Sequence, residues 1–105
     1  MNELKKQSKI EMIITNYLLE KKIRPNLLGF HYLREGIKLS IDNDGIMPRI
    51  TKVLYPSIAL KYSTTSSKVE RAIRHAITDC KRQKNKTIWF TNAEFIANAV
   101  IDIYG

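Results

Sequence analysis

Apolar residues recur every three or four positions along most of this chain, and this helical period constrains the fold more than any other feature. The clearest example runs through Val69, Ile73, Ile77 and Cys80, which share one side of a helix. The Asp44-Gly45 turn lacks flanking alternation with a period of two, so it does not indicate a β-hairpin. The pattern therefore predicts an all-α fold: a compact bundle of about six helices that contains a helix-turn-helix.

Capping and breaking residues set the expected bounds of these helices. Arg24-Pro25 is expected to end the first helix, Thr65 to cap the most basic one, and Thr91 with Glu94 to form a capping box. The predicted helices are Leu4–Lys22, Leu27–Ile41, Lys52–Tyr55, Pro56–Tyr62, Ser66–Lys84 and Asn92–Tyr104. With 105 residues, the chain is expected to form one domain over residues 1–105, with the helix-turn-helix at about 56–84.

The positive charge is concentrated in the middle of the chain. The net charge is +8, and residues 48–86 hold ten Lys and Arg against two acids, whereas residues 87–105 hold two acids and no base. A surface that lysines merely solvate does not predict such a concentration, so the pattern favours a polyanionic partner. A membrane partner is not indicated, because no apolar run is long enough to span a bilayer.

Enzymatic chemistry is not predicted. There is no glycine-rich phosphate loop, nucleophile elbow or carboxylate pair, and His31 and His75 are too far apart to suggest a metal site. No cofactor is expected. Cys80 continues the apolar stripe, which indicates a buried thiol rather than a nucleophile, and a single cysteine suits a reducing cytoplasm.

The predicted helix-turn-helix places candidate DNA-binding residues early in helix Ser66–Lys84. Base-edge contacts are expected from Lys68, Glu70 and Arg71, with arginine pairing to guanine and the carboxylate accepting from cytosine. Phosphates would be held by hydroxyls, helix starts and further bases. These backbone or supporting residues are Thr51, Lys52, Thr64, Thr65, Ser67, Arg74 and His75.

Less specific interpretations of the same residues stay open. Glu70 can simply pair with Arg74, four positions further along. Arg74, His75, Lys81 and Arg82 can form only a solvated face, and Trp89-Phe90 is expected to close the core rather than to stack on bases.

Three stretches resemble the C-terminal DNA-binding effector domain of stage-zero sporulation protein A, the master response regulator of endospore formation. The first is Gly29-Phe30-His31-Tyr32-Leu33-Arg34-Glu35. The second runs from Ile50-Thr51-Lys52 through Pro56 to Val69-Glu70-Arg71-Ala72-Ile73-Arg74-His75. The third is Thr91-Asn92-Ala93-Glu94-Phe95-Ile96-Ala97, and together they follow the family's order over residues 10–104.

The resemblance implies a six-helix DNA-binding domain that recognises a TGTCGAA-like promoter box in double-stranded DNA. It also implies a bacterial, cytoplasmic and nucleoid-associated regulator that binds tandem boxes as a homodimer and acts through RNA polymerase. Base reading is carried over to Lys68, Glu70 and Arg71. Lys68 stands where the family has arginine, so its guanine contact becomes a point-charge contact and the preferred box can differ.

The family's receiver domain is expected to be absent, which leaves either an excised fragment or a free-standing effector domain that binds DNA without phosphorylation. A rival hypothesis is a receiver-less decoy that pairs with a full-length regulator and binds DNA weakly. A second rival is a non-specific nucleoid or RNA binder.

Overall fold

The computed structural model describes residues 2–43, 50–84 and 91–104, and their side chains at 9–43, 52–81 and 91–104. Within those ranges the backbone forms α-helices and a π-helical turn, and no strand. The elements are α1 (Asn2–Glu20), α2 (Leu28–Asp42), a π-helical turn (Ile50–Leu54), α3 (Tyr55–Lys61), α4 (Ser66–Lys84) and α5 (Asn92–Tyr104). The all-α prediction is confirmed, and the described residues hold five α-helices.

The predicted bounds of α4 and α5 are confirmed. The two short helices expected around Pro56 are instead one continuous path, in which the π-helical turn runs directly into α3 and Pro56 lies in the first turn of α3. Proline has no N–H to donate, and the first turn of a helix does not require one. The Ser57 hydroxyl donates to the carbonyl oxygen of Val53 at 2.8 Å, which ties the two segments together.

The first helix ends earlier than expected, and not at Arg24-Pro25. The N–H of Ile23 donates to the Leu18 carbonyl, the N–H of Lys22 donates to the Leu19 carbonyl, and Lys22 has φ 67°. This is a Schellman ending, in which a left-handed residue closes the helix. Ile23 and Leu18 are both buried, so the packing of Ile23 into the core ends α1 before Pro25 does.

Helix α2 lies at the centre and packs against α1, α4 and α5. Its buried side is Phe30, Tyr32, Leu33 and Ile37. The rest of the core comes from Ile14, Leu18, Ile23, Leu54, Tyr55, Ile58, Ala59, Val69, Ile73, Ala76, Ile77, Cys80, Ile96 and Ala99. The Cα radius of gyration is 13.1 Å, close to the roughly 13 Å of a compact domain of this length.

Two glycines in α2 differ in how closely neighbouring elements approach their backbone. A Cβ added at Gly29 would lie 2.2 Å from the Ala72 carbonyl oxygen and 2.6 Å from the Ala76 Cβ, both in α4. The three atoms nearest to a Cβ at Gly36 would all be side-chain ends, the closest being Ile58 Cδ1 at 3.3 Å. The backbones of α2 and α4 are therefore in direct contact at Gly29, and this contact fixes where α4 lies.

Candidate DNA-binding surface

The exposed side of α4 carries the basic residues that the sequence predicts there. Lys68, Arg71, Arg74 and His75 are exposed, whereas Val69, Ile73, Ala76 and Ile77 on the other side are buried. Lys68 and Arg71 are three positions apart, so they are neighbours on one face of the helix. We call Lys68, Arg71, Arg74 and His75 the basic face.

The segment between α3 and α4 is a four-residue turn with a left-handed residue. The N–H of Thr64 donates to the Ala59 carbonyl at 2.9 Å, the N–H of Ser63 donates to the Leu60 carbonyl at 3.4 Å, and Ser63 has φ 52°. This is a second Schellman ending, here with serine at the position that glycine usually occupies. It sets the angle at which α4 leaves α3.

Thr65 caps α4, as the sequence predicts. Its Oγ1 accepts the N–H of Lys68 at 3.2 Å, and its carbonyl accepts the N–H of Val69 at 3.0 Å. The first N–H groups of a helix have no acceptor within the helix and favour anions. Thr65 and Ser67 are exposed beside them and Thr64 is partly buried, so hydroxyls and N–H groups meet at the start of the basic face.

The expected alternative for Glu70, an ion pair with Arg74, is present. Glu70 Oε1 lies 3.1 Å from Arg74 Nη1, and the two side chains are 36% and 61% exposed. An exposed pair at this spacing contributes only about 0.3–0.5 kcal/mol to stability. Separating the two side chains therefore costs little.

The remaining candidate residues differ in exposure, and some lie outside the described residues. Lys52 is exposed in the π-helical turn. The side chains of Thr51 and Arg82, and all of Trp89-Phe90, lie outside the described residues. Lys81 was expected on the solvated face of α4, and that expectation is wrong because its side chain is buried. It follows Ile77 by four positions, which puts its aliphatic stem on the core side of α4.

Helices α3, α4 and α5 are joined by hydrogen bonds at the main chain of Glu70. The Asn92 side-chain amide donates to the Tyr55 hydroxyl at 3.1 Å and to the main-chain carbonyl oxygen of Glu70 at 3.1 Å. Tyr55 is 5% exposed, and burial raises the pKa of its hydroxyl. The sequence indicated only the capping box around Asn92. This contact joins residues 22 and 37 positions apart, and no local pattern reports it.

An ion pair joins the end of α3, next to the turn that leads to α4, to helix α2. Lys61 Nζ donates to Glu35 Oε1 at 2.6 Å, and this hydrogen bond raises the pKa of Lys61. Glu35 is only 13% exposed, while Lys61 is half exposed. The charge of Lys61 is thus paired before any ligand arrives, unlike that of Lys68 or Arg71, for which no ion pair is found within the described side chains.

Other chemistry has no support in the part of the chain that the structure describes. No group of three His, Cys, Asp or Glu residues there is close enough to hold a metal ion. Cys80 is buried, as predicted, and its thiol donates to the Lys21 carbonyl at 2.8 Å. The described helices include none with the length and apolar character that a membrane crossing requires.

An all-helical domain with a capped helix and an exposed basic face is suited to a nucleic-acid partner. Residues 14–100 match the family model described as sporulation initiation factor Spo0A C terminal. The chain belongs to this family. The family is the DNA-binding domain of a transcription regulator, not a family of enzymes, and the chain is accordingly a DNA-binding domain of the sporulation-regulator type.

Proposed function

We propose that α3 and α4 form a helix-turn-helix that reads a TGTCGAA-like box in double-stranded DNA, with α4 in the major groove. The observation that carries this proposal is the basic face directly after the Thr65 cap. Lys68 and Arg71 are exposed there, and no ion pair holds them within the described side chains. A recognition helix contacts base edges with its N-terminal residues, and Lys68 and Arg71 lie at the N-terminal end of α4.

The candidate residues divide into a base-reading group and a phosphate-binding group in this proposal. Arg71 pairs with guanine through two hydrogen bonds, Lys68 adds a point charge beside it, and Glu70 accepts from a cytosine amino group. The other candidates bind phosphates and fix the register of α4 on the duplex. This second group is Thr51, Lys52, Thr64, Thr65, Ser67, Arg74 and His75.

Reading by Glu70 requires an exchange of partners. In the structure Glu70 pairs with Arg74, and a lone carboxylate in the groove repels phosphate. When Arg74 turns to a phosphate, Glu70 is released to accept from cytosine. A duplex that offers no cytosine at this position leaves the carboxylate unpaired, which costs affinity and adds to specificity.

We further propose that the domain acts at promoters in the bacterial cytoplasm, with two copies on tandem boxes and a contact to RNA polymerase. Membership of the sporulation-regulator family supports this setting.

A fluorescence-anisotropy titration at near-physiological salt tests the function. It compares a duplex that contains a TGTCGAA box with a scrambled duplex of equal length. We expect a preference of roughly a thousandfold or more for the box. Equal, salt-dependent binding of both duplexes would leave a non-specific binder. Failure to bind either duplex, together with a complex formed with a full-length regulator in the absence of DNA, would favour the decoy hypothesis.

A further inference from the structure

Asn92 lies where the starts of three helices meet, although it is not on the basic face. Its amide nitrogen carries two hydrogen atoms, and the two acceptors within 3.1 Å are the Tyr55 hydroxyl, at the start of α3, and the Glu70 carbonyl, in the second turn of α4. A carbonyl oxygen can only accept a hydrogen bond, so the nitrogen of the Asn92 amide must face it. Both donors of the amide are therefore used between helices.

Asn92 is itself held in place by the capping box of α5. The N–H of Thr91 donates to Glu94 Oε1, and the N–H of Glu94 donates to Thr91 Oγ1, both at 3.1 Å. These reciprocal bonds fix the first turn of α5, in which Asn92 is the first residue. The amide thus projects from a rigid helix start rather than from a flexible loop.

The position of the Glu70 carbonyl makes this contact relevant to DNA. It belongs to the residue between Val69 and Arg71, in the part of α4 that the proposed function assigns to base reading. Other polar ties that the described residues show for α4 lie further along it, at Asp79 with Arg24 and at Cys80 with the Lys21 carbonyl. The contact with Asn92 is thus at the end of α4 that would face bases.

We propose that Asn92 is a positioning residue for the recognition helix: its amide joins α5 to Tyr55 of α3 and to the backbone of α4 at Glu70, and so sets the position of Arg71 and Glu70 against the base edges. This inference rests on the proposed function. Apolar packing of Val69 and Ile73 holds α4 in the core, but apolar contacts are not directional. Hydrogen bonds with fixed geometry supply the direction that base reading needs.

The test is Asn92→Ala, compared with Asn98→Ala as the matched control. Both substitutions remove an asparagine amide from α5 without changing the net charge, and Asn98 is exposed. The Glu70 carbonyl keeps its hydrogen-bonding position within the α-helix, so the helix itself is not broken. Anisotropy titrations measure affinity for the TGTCGAA duplex and for the scrambled duplex, and circular dichroism confirms that each variant is folded.

We expect Asn92→Ala to lower the ratio of the two affinities roughly tenfold or more, the loss of about one base contact. Affinity for the scrambled duplex should change less than about twofold, because the phosphate-binding charges are intact. Asn98→Ala should leave both affinities at the wild-type values. A folded Asn92→Ala protein with the wild-type ratio would overturn the inference, and so would equal losses on both duplexes.

Tyr55→Phe provides an independent arm. It keeps the buried ring and the bond from Asn92 to Glu70 but removes the hydroxyl that accepts the second bond. We expect a smaller fall in the ratio of the two affinities, roughly threefold. If Asn92→Ala does not fold, Tyr55→Phe becomes the deciding variant. A wild-type ratio in Tyr55→Phe would then contradict the inference. If the wild-type protein itself shows no preference for the box, it is the proposed function that has failed.

Discussion

Helices α4 and α5 start alike and differ in what they expose. Both begin after a threonine cap, at Thr65 and Thr91, and both bury one apolar side. Yet α4 presents its basic face, whereas α5 contains no Lys or Arg and exposes Glu94, Asn98 and Asp102. Capping and amphipathic packing therefore explain why both helices form, and the exposed side alone separates the proposed DNA-binding helix from the other one.

The two helices also differ in how α2 holds them. At Gly29 the backbone of α2 touches the backbone of α4, whereas the nearest atom of α5 to a Cβ added at Gly36 would be the end of the Ile96 side chain, at 3.7 Å. A backbone contact cannot relax by rotating a side chain. The position of α4 is accordingly the more strongly determined of the two.

The largest expected effect is that of Gly29→Ala. Its methyl group would overlap the Ala72 carbonyl and the Ala76 Cβ, so we expect the free energy of unfolding to fall by about 3 kcal/mol or more. Gly36→Ala is the matched control, because a gain of about 1 kcal/mol in helix propensity offsets the tighter contact with Ile58. Urea unfolding measures both. Equal stabilities of the two variants would mean that α2 and α4 are not in backbone contact.

Next in size is the effect of Arg71→Ala on DNA binding. We expect a loss of about 1–3 kcal/mol on the box duplex and relaxed preference at one base position. Lys52→Ala should instead weaken the box and scrambled duplexes alike and reduce the salt slope by about one. Anisotropy titrations over a range of salt concentrations separate the two. If Arg71→Ala affected both duplexes equally, it would be a phosphate contact and not a base contact.

Removal of the caps should have an intermediate effect on stability. Thr65→Ala and Thr91→Ala each delete a hydroxyl that accepts a helix N–H, and we expect each to cost about 1 kcal/mol in thermal or urea unfolding. Thr65→Ala should also weaken binding to both duplexes, because the hydroxyl lies at the proposed phosphate site. Unchanged DNA binding by this variant would restrict Thr65 to its capping role.

The smallest effect on stability is expected for Glu70→Gln. Loss of the exposed pair with Arg74 should change the free energy of unfolding by less than about 0.5 kcal/mol. On DNA we expect the affinity for the scrambled duplex to rise and the preference for the box to fall, since the variant frees Arg74 and removes a repelling charge. Glu20→Gln, an exposed acid at the end of α1, controls for the change in net charge.

Local signals in the sequence predicted much of this fold. The bounds of α4 and α5, the Thr65 cap, the capping box and the burial of Cys80 are all confirmed. Each depends on residues within a few positions of one another, where periodicity and hydrogen-bonding chemistry are readable. The roles of Lys68, Glu70 and Arg71 in base reading stay predictions.

The features that the sequence did not reveal depend on tertiary packing. The early end of α1 follows from the burial of Ile23, and the buried Lys81 follows from how α4 turns against the core. The close approach at Gly29 requires Ala72 and Ala76 of α4, more than 40 positions away, to be in place. Asn92 likewise acquires its partners only when three helices have assembled.

The central claim is that the exposed side of α4, and not that of α5, meets DNA. Amide chemical shifts of isotopically labelled protein, recorded before and after addition of the TGTCGAA duplex, test it directly. We predict large shifts from Thr64 through His75 and near Lys52, with Asn98 and Asp102 unmoved. Shifts concentrated on the exposed side of α5, with Lys68 and Arg71 unmoved, would contradict the account.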